Sequence, residues 1–246
     1  MIEIIDLEKS FGGQSVLRGV NLKIGAGEVT AILGKSGGGK SVLLKHIIGL
    51  MKPDKGRILI NGTDITGLGI HDMDKVREKF AVVFQFGALF DSMTVFENVA
   101  FPVVEKKRIS MHDMSERVML MLEEVGLVGM EGKYPSEISG GMRKRAALAR
   151  ALIMEPEIIL FDEPTTGLDP ILLDQIHSYI KATHSKYGFT GIVISHEVPE
   201  IFDIADRVAV LDGGVIIETG TPADIRKSSN PVVRRFVAPR AVEAAS

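Results

Sequence analysis

Gly34-Lys35-Ser36-Gly37-Gly38-Gly39-Lys40-Ser41 fits the pattern G-x-x-x-x-G-K-[ST]. It lies between the β-branched run Val29-Thr30-Ala31-Ile32-Leu33 and an apolar stretch that starts at Val42, which reads as strand, loop and helix in that order. Glycines let successive backbone amides curl around an anion, and a helix that starts there adds the positive end of its dipole. Gly34, Lys35, Ser36, Gly37, Gly38 and Gly39 thus form a phosphate cradle, Lys40 reaches the β- and γ-phosphates of a nucleotide, and the Ser41 hydroxyl ligates Mg²⁺. This order of elements is the opening of an α/β P-loop NTPase core.

Further along, Ile158-Ile159-Leu160-Phe161 runs straight into Asp162-Glu163. An apolar strand with two acids at its exit gains meaning beside a phosphate cradle. Asp162 can hold Mg²⁺ through its water shell, and Glu163 can orient and deprotonate the water that attacks the γ-phosphate. Val29 to Leu33, Ile158 to Asp162 and Gly191 to Ser195 are short and almost wholly apolar, the mark of strands covered on both faces, so a mostly parallel sheet is expected.

Met1 to Asp6 reads as a first strand and lacks the basic segment and cleavage site of a secretory signal. Alternation at Val20, Leu22 and Ile24, with the Asn61-Gly62 turn after Arg57 to Ile60, predicts an N-terminal antiparallel β-subdomain. Arg207 to Leu211 and Val215 to Glu218, around Asp212-Gly213-Gly214, predict a closing hairpin. Ser110 with Asp113 predicts a capping box that opens a helix through Val118, Leu122 and Val125 to Gly126, inside a helical subdomain over about residues 87–155. Residues 228–246 read as a C-terminal tail: Asn230-Pro231 opens a short apolar cluster of Val232, Val233, Phe236 and Val237, and Ala241 to Ser246 have almost nothing to bury. The whole, 1–246, is expected to be one domain.

Composition excludes several functions. A net charge of -3 leaves no positive field to hold a polyanion, so a nucleic-acid partner is not expected. Cysteine is absent, which removes disulfides, thiolate metal sites and cysteine nucleophiles. Charged and amide side chains interrupt every long apolar stretch, so any membrane role must come through a partner.

Ser139-Gly140-Gly141-Met142, followed by Arg143 to Leu152, resembles the signature motif of the ABC ATPase family. With Gln85, Gly167-Leu168-Asp169 and His196 it completes that family's Q-loop, D-loop and switch histidine in the family's order. The resemblance implies a head-to-tail homodimer that sandwiches two ATP molecules, the cradle of one copy facing Ser139, Gly140 and Gly141 of the other. It also implies that Gln85 serves Mg²⁺ and the attacking water, that Asp169 lies at the nucleotide interface, that His196 contacts the γ-phosphate and that Phe11 stacks on adenine. A hydrophobic cap on the β-subdomain is the other reading of Phe11. Ile138 and Met142 replace the leucine and glutamine of the commonest signature.

Phe84-Gln85-Phe86-Gly87-Ala88-Leu89-Phe90, Tyr134-Pro135-Ser136-Glu137, Arg145 to Arg150 and Ser195-His196-Glu197-Val198-Pro199-Glu200 are similar to the Mla-type, MCE-associated phospholipid transport ATPases. Amino-acid importers share the core motifs. The Mla resemblance implies an integral membrane permease, an MCE substrate-binding protein and a STAS-domain protein as partners, with the chain peripheral on the cytoplasmic face of the inner membrane. Phe80 to Phe101 hold six of the eleven phenylalanines. Some are expected in the core, while Phe86, Leu89, Phe90 and Met93 are expected to line the groove for a permease helix.

Overall fold

The computed structural model describes residues 1–106, 110–196 and 198–237. Within them, β1 (Ile2–Phe11), β2 (Gln14–Ile24) and β3 (Val29–Leu33) lead into α1 (Lys40–Ile47), followed by β4 (Lys55–Ile60), β5 (Thr63–Asp64), α2 (Ile70–Arg77) and β6 (Phe80–Val83). Next come α3 (Val95–Lys106), α4 (Met111–Glu124), α5 (Gly140–Leu152), β7 (Ile158–Asp162), α6 (Pro170–Tyr187) and β8 (Thr190–Ser195). The order closes with β9 (Arg207–Asp212), β10 (Val215–Gly220), α7 (Pro222–Arg226) and α8 (Pro231–Val237). The chain packs as two compact units.

The first unit holds Met1–Ile24, Glu28–Thr66 and the described residues from Ser195 to Val237. Its antiparallel sheet has the order β2-β1-β4-β5. Ile2 sits opposite both Ile24 and Ile60, so the alternating apolar residues of three strands share one covered face. Each such side chain contributes about 1.5–3 kcal/mol when fully buried. In the same unit β3 runs parallel to β9, and β10 returns antiparallel to β9 as the predicted hairpin. All five residues of β3 are buried. Its ladder places Leu33 opposite Val210, and the strand delivers the chain directly to Gly34.

The second unit holds Gly25–Gly27 and Gly67–Ile194. There β6, β7 and β8 form a parallel ladder, with Phe80 opposite Ile158 and Ile158 opposite Thr190. Every residue of β7 but Asp162 is buried, and all of β8 is, as expected of strands covered on both faces. Helices α3, α4 and α5 make the expected helical region, with Val118 and Leu122 of α4 and Ala146 and Ala149 of α5 fully buried. Arg145 donates to the carbonyls of Val125 and Gly126 at 2.9 Å, which satisfies the end of α4.

Several expectations need correction. Ser110 does cap α4, its hydroxyl accepting from Asp113 N at 3.2 Å, but the Asp113 carboxylate turns to the Ser110 hydroxyl at 2.8 Å and forms only half of a capping box. The reciprocal box is complete instead at α7, where Asp224 Oδ2 accepts from Thr221 N at 3.0 Å. Phe80 to Val83 form strand β6, hidden in the sequence within a longer apolar run. None of the six phenylalanines between Phe80 and Phe101 is fully buried; the buried phenylalanines are Phe161, Phe189 and Phe202. In the tail, Asn230 Oδ1 accepts from Val232 N at 2.9 Å and opens α8, of which Val233 is fully buried while Val232, Phe236 and Val237 are half-buried. Glu197 and Ala241 to Ser246 lie outside the described residues. Among the described residues no helix is long and apolar enough to cross a membrane.

Candidate functional site: a glycine-rich loop and an acid pair

In the first unit, Gly39 takes a φ of 98°, open to glycine and strained for other residues, and starts α1. Lys40 is 5% exposed, and its ammonium donates to Gly34 O at 2.7 Å and Lys35 O at 3.0 Å. The loop is thus folded into a cup around its own lysine. A Cβ on Gly34 would stand 2.7 Å from the Leu211 carbonyl oxygen, so only glycine fits where β3 meets the loop. Lys35, Ser36 and Gly37 are exposed at the rim, Gly38 is half-buried, and Ser41 is exposed in the first turn of α1. The arrangement fits a polyphosphate: the loop runs into a helix start with the Lys40 ammonium inside it, and α1's first turn holds no carboxylate to oppose an anion.

The second unit carries the acids. Asp162 ends β7 half-buried, and Glu163 follows it with a φ of 50°, in the left-handed region that costs a non-glycine residue energy. Glu163 N donates to Ile194 O at 3.0 Å, and the Thr166 hydroxyl donates to Glu163 Oε2 at 3.1 Å, so both backbone and carboxylate are held. Gln85 and Asp162 line one cleft of about 540 Å³, together with Phe84, Phe86, Leu89 and Arg143. Among the described residues no group of three or more His, Asp or Glu could hold a metal ion by itself. Mg²⁺ keeps several waters and takes one or two protein oxygens beside substrate phosphates, and Ser41, Asp162 and Gln85 are hard oxygen donors of that kind.

Ser139 is the N-cap of α5; its hydroxyl accepts from Met142 N at 3.3 Å, and it is exposed, with Gly140 behind it half-buried. Gly141 is buried, and a Cβ there would stand 3.3 Å from a Leu172 methyl. Ile138 is buried and Met142 is half-buried. The two replacements in the signature therefore pack beside the glycines and leave the helix start open. Asp169 caps α6 by accepting from Leu172 N at 3.0 Å, which gives it a structural task in addition to the one expected from the resemblance. His196, half-buried, follows the end of β8 in the first unit. Phe11, at the end of β1, is 45% exposed, with the Lys9 ammonium 5.6 Å from its ring centroid.

Phe86, 80% exposed, and Leu89 line the cleft, whereas Phe90, itself 42% exposed, and Met93 lie outside it. The Asn98 side chain accepts from Phe90 N at 2.7 Å and donates to Phe90 O at 3.0 Å, and the Phe90 ring lies 4.7 Å from that of Phe101. These contacts turn Phe90 toward α3.

Sequence reading missed Arg150. Its guanidinium donates to Gly87 O at 2.6 Å and Ala88 O at 2.8 Å, two successive residues with φ of 77° and 45°. Burial pushes its pKa below the ordinary arginine value, yet an arginine still carries its charge at neutral pH. The bonds fasten the Gln85 loop to α5. We expect Arg150→Ala to leave both carbonyls without their cation at a cost of about 2 kcal/mol, lowering the thermal midpoint by several degrees; an unchanged melting curve would show that the loop holds itself.

Residues 17–166 match the family described as ABC transporter. The chain is 40% identical to the intermembrane phospholipid transport system ATP-binding protein MlaF of Haemophilus influenzae, over 96% of this chain and 90% of that protein. It is 43% identical to the probable ribonucleotide transport ATP-binding protein mkl of Mycobacterium leprae, over 96% of this chain and 68% of that protein. The chain spans about two thirds of the length of the mycobacterial relatives. Among solved structures, it resembles the dimeric ATP-binding cassette MJ0796 bound to ADP and Pi (TM-score 0.81, 31% identity, 90% of this chain and 99% of that one). It also resembles cbiO1 of Clostridium perfringens, part of the transporter complex cbiONQ (TM-score 0.85, 32% identity, 96% of both chains). With an uninterrupted cradle, an acid pair at the end of β7 and a signature at the start of α5, the chain belongs to the ABC transporter family, as one of its ATP-hydrolysing cassettes.

Proposed function

We propose that this ATPase powers phospholipid transport between membranes, as a homodimer on the cytoplasmic face of the inner membrane. The observation that carries this reading is the 40% identity to MlaF across 96% of this chain and 90% of that protein, so the two chains correspond nearly end to end. The partners that go with it are an integral membrane permease, an MCE substrate-binding protein beyond it and a STAS-domain protein.

In the proposed cycle the Lys40 ammonium and the amides from Gly34 to Gly39 offset the charge of the β- and γ-phosphates, and Phe11 stacks on adenine. Ser41, Asp162 and Gln85 supply oxygens to Mg²⁺, which when bound offsets further phosphate charge. Glu163 takes the proton of the attacking water, and His196 contacts the γ-phosphate. Ser139, Gly140, Gly141 and Asp169 of one copy act on ATP held in the partner's cradle. Phosphoryl transfer needs mainly positioning and charge neutralisation, and this set of groups provides both.

The cleft beside Gln85 is the proposed permease groove. Phe86 is its exposed aromatic anchor, and truncating such an anchor costs about 2 kcal/mol or more of association. Phe86→Ala is expected to lose the detergent-solubilised permease in co-purification while keeping its melting temperature and ATP affinity. Full retention of the permease would remove Phe86 from the interface. Phe90→Ala is a poorer probe, because its ring packs on Phe101.

The name of the mkl relatives supports a second reading, a small-solute importer that carries nucleotides, and amino-acid importers belong to the same alternative. Lipid analysis of the purified ATPase–permease complex separates the readings. Phospholipid enriched in the complex and stimulating ATP hydrolysis fits the first; stimulation by a ribonucleotide or an amino acid alone, with no lipid enriched, fits the second.

A further inference from the structure

Lys144 stands one turn into α5 and is 8% exposed, an uncommon place for an ammonium group. It donates to Pro164 O at 2.7 Å and to Thr166 O at 3.0 Å. Both carbonyls belong to the segment that follows Glu163. A buried cation loses its hydration, and these charge-assisted bonds are what offset the loss.

The second carbonyl matters most. Thr166 is the residue whose hydroxyl donates to Glu163 Oε2 at 3.1 Å. The same residue is thus held at its carbonyl by Lys144 while it holds the carboxylate by its hydroxyl. Glu163 itself sits at a φ of 50°, a conformation that persists only where its surroundings impose it. Thr166 N donates to Glu163 O at 3.4 Å, a long bond that fixes the turn weakly by itself. The external fastening at Pro164 and Thr166 comes from the helix whose N-cap is Ser139.

We propose that Lys144 is a positioning residue for hydrolysis: through Pro164 and Thr166 it holds Glu163 in place and ties that carboxylate to the signature helix. This rests on the reading of Glu163 as the catalytic base. A shift of α5 when its N-terminus meets a nucleotide is then passed to the base through one side chain. The Lys144 ammonium bonds to the segment that follows Glu163, so its loss is expected to act on turnover and to leave the substrate's hold on the cradle intact.

The test is steady-state ATP hydrolysis by the full chain, with kcat and KM measured separately for Lys144→Met, Lys144→Gln, Thr166→Val and Glu163→Gln. Lys144→Met keeps the length of the side chain and removes its charge and donors; it is expected to lower kcat at least tenfold with KM for ATP within twofold of the wild type. Lys144→Gln, which restores amide donors, is expected to recover part of that loss. A general loss of stability would lower activity without this split and without rescue. Wild-type kcat in a soluble Lys144→Met chain overturns the proposal, as does a parallel rise in KM. If Lys144→Met does not fold, Thr166→Val decides: a reduced kcat at unchanged KM supports the relay, and wild-type kcat overturns it. Glu163→Gln keeps the two ideas apart. Near-normal turnover in that variant refutes the base assignment, whereas a dead Glu163→Gln beside a fully active Lys144→Met refutes only the positioning role.

Discussion

Glu163→Gln is expected to bind ATP as tightly as the wild type and to hydrolyse it ~100-fold more slowly or worse. The substitution is nearly isosteric, and its amide oxygen can still accept from the Thr166 hydroxyl that stands 3.1 Å from Glu163 Oε2. The backbone bond from Glu163 N to Ile194 O does not involve the side chain. What the variant cannot do is take a proton from water. Phosphate release measures the turnover, and a fluorescent ATP analogue measures the binding. Turnover close to the wild-type rate would remove Glu163 from the role of base.

Lys40→Ala is expected to fail earlier, at nucleotide binding. A charge-assisted hydrogen bond contributes about 1.5–3 kcal/mol, so losing two to the phosphates weakens ATP binding by ~100-fold or more. The structure adds a second cost. The Lys40 ammonium also bonds to the carbonyls of Gly34 and Lys35, so alanine leaves the loop without the group it is folded around. Titration calorimetry with ATP gives the affinity directly. An unchanged affinity would overturn the reading of this loop as the phosphate cradle.

These two variants probe residues that were legible from local sequence. A strand that must be covered on both faces, a run of glycines and a lysine-serine pair at a helix start define the cradle within thirteen consecutive residues, from Val29 to Ser41. The acids of β7 and the start of α5 were legible for the same reason: an apolar strand and a helix cap are local patterns. Where the pattern was less regular the reading lost precision. Between Phe80 and Phe101 a strand, a loop and a helix follow one another without a clean period, and sequence could not divide those phenylalanines into core and surface. The structure leaves Phe86 80% exposed and turns Phe90 onto Phe101.

Sequence by itself therefore determined the α/β class and the order of the motifs, and it named the candidate groups for binding phosphate, supplying oxygens to Mg²⁺ and accepting a proton, because each depends on residues a few positions apart. Only the tertiary structure decided what holds those groups still. Arg150 reaches the carbonyls of Gly87 and Ala88, and Lys144 reaches those of Pro164 and Thr166. A cation in a helix is read from sequence as a solvated side chain, and backbone carbonyls carry no residue type for it to match. Such contacts exist only once helix α5 is packed, when carbonyls that have turned out of regular structure come within reach of its long cations.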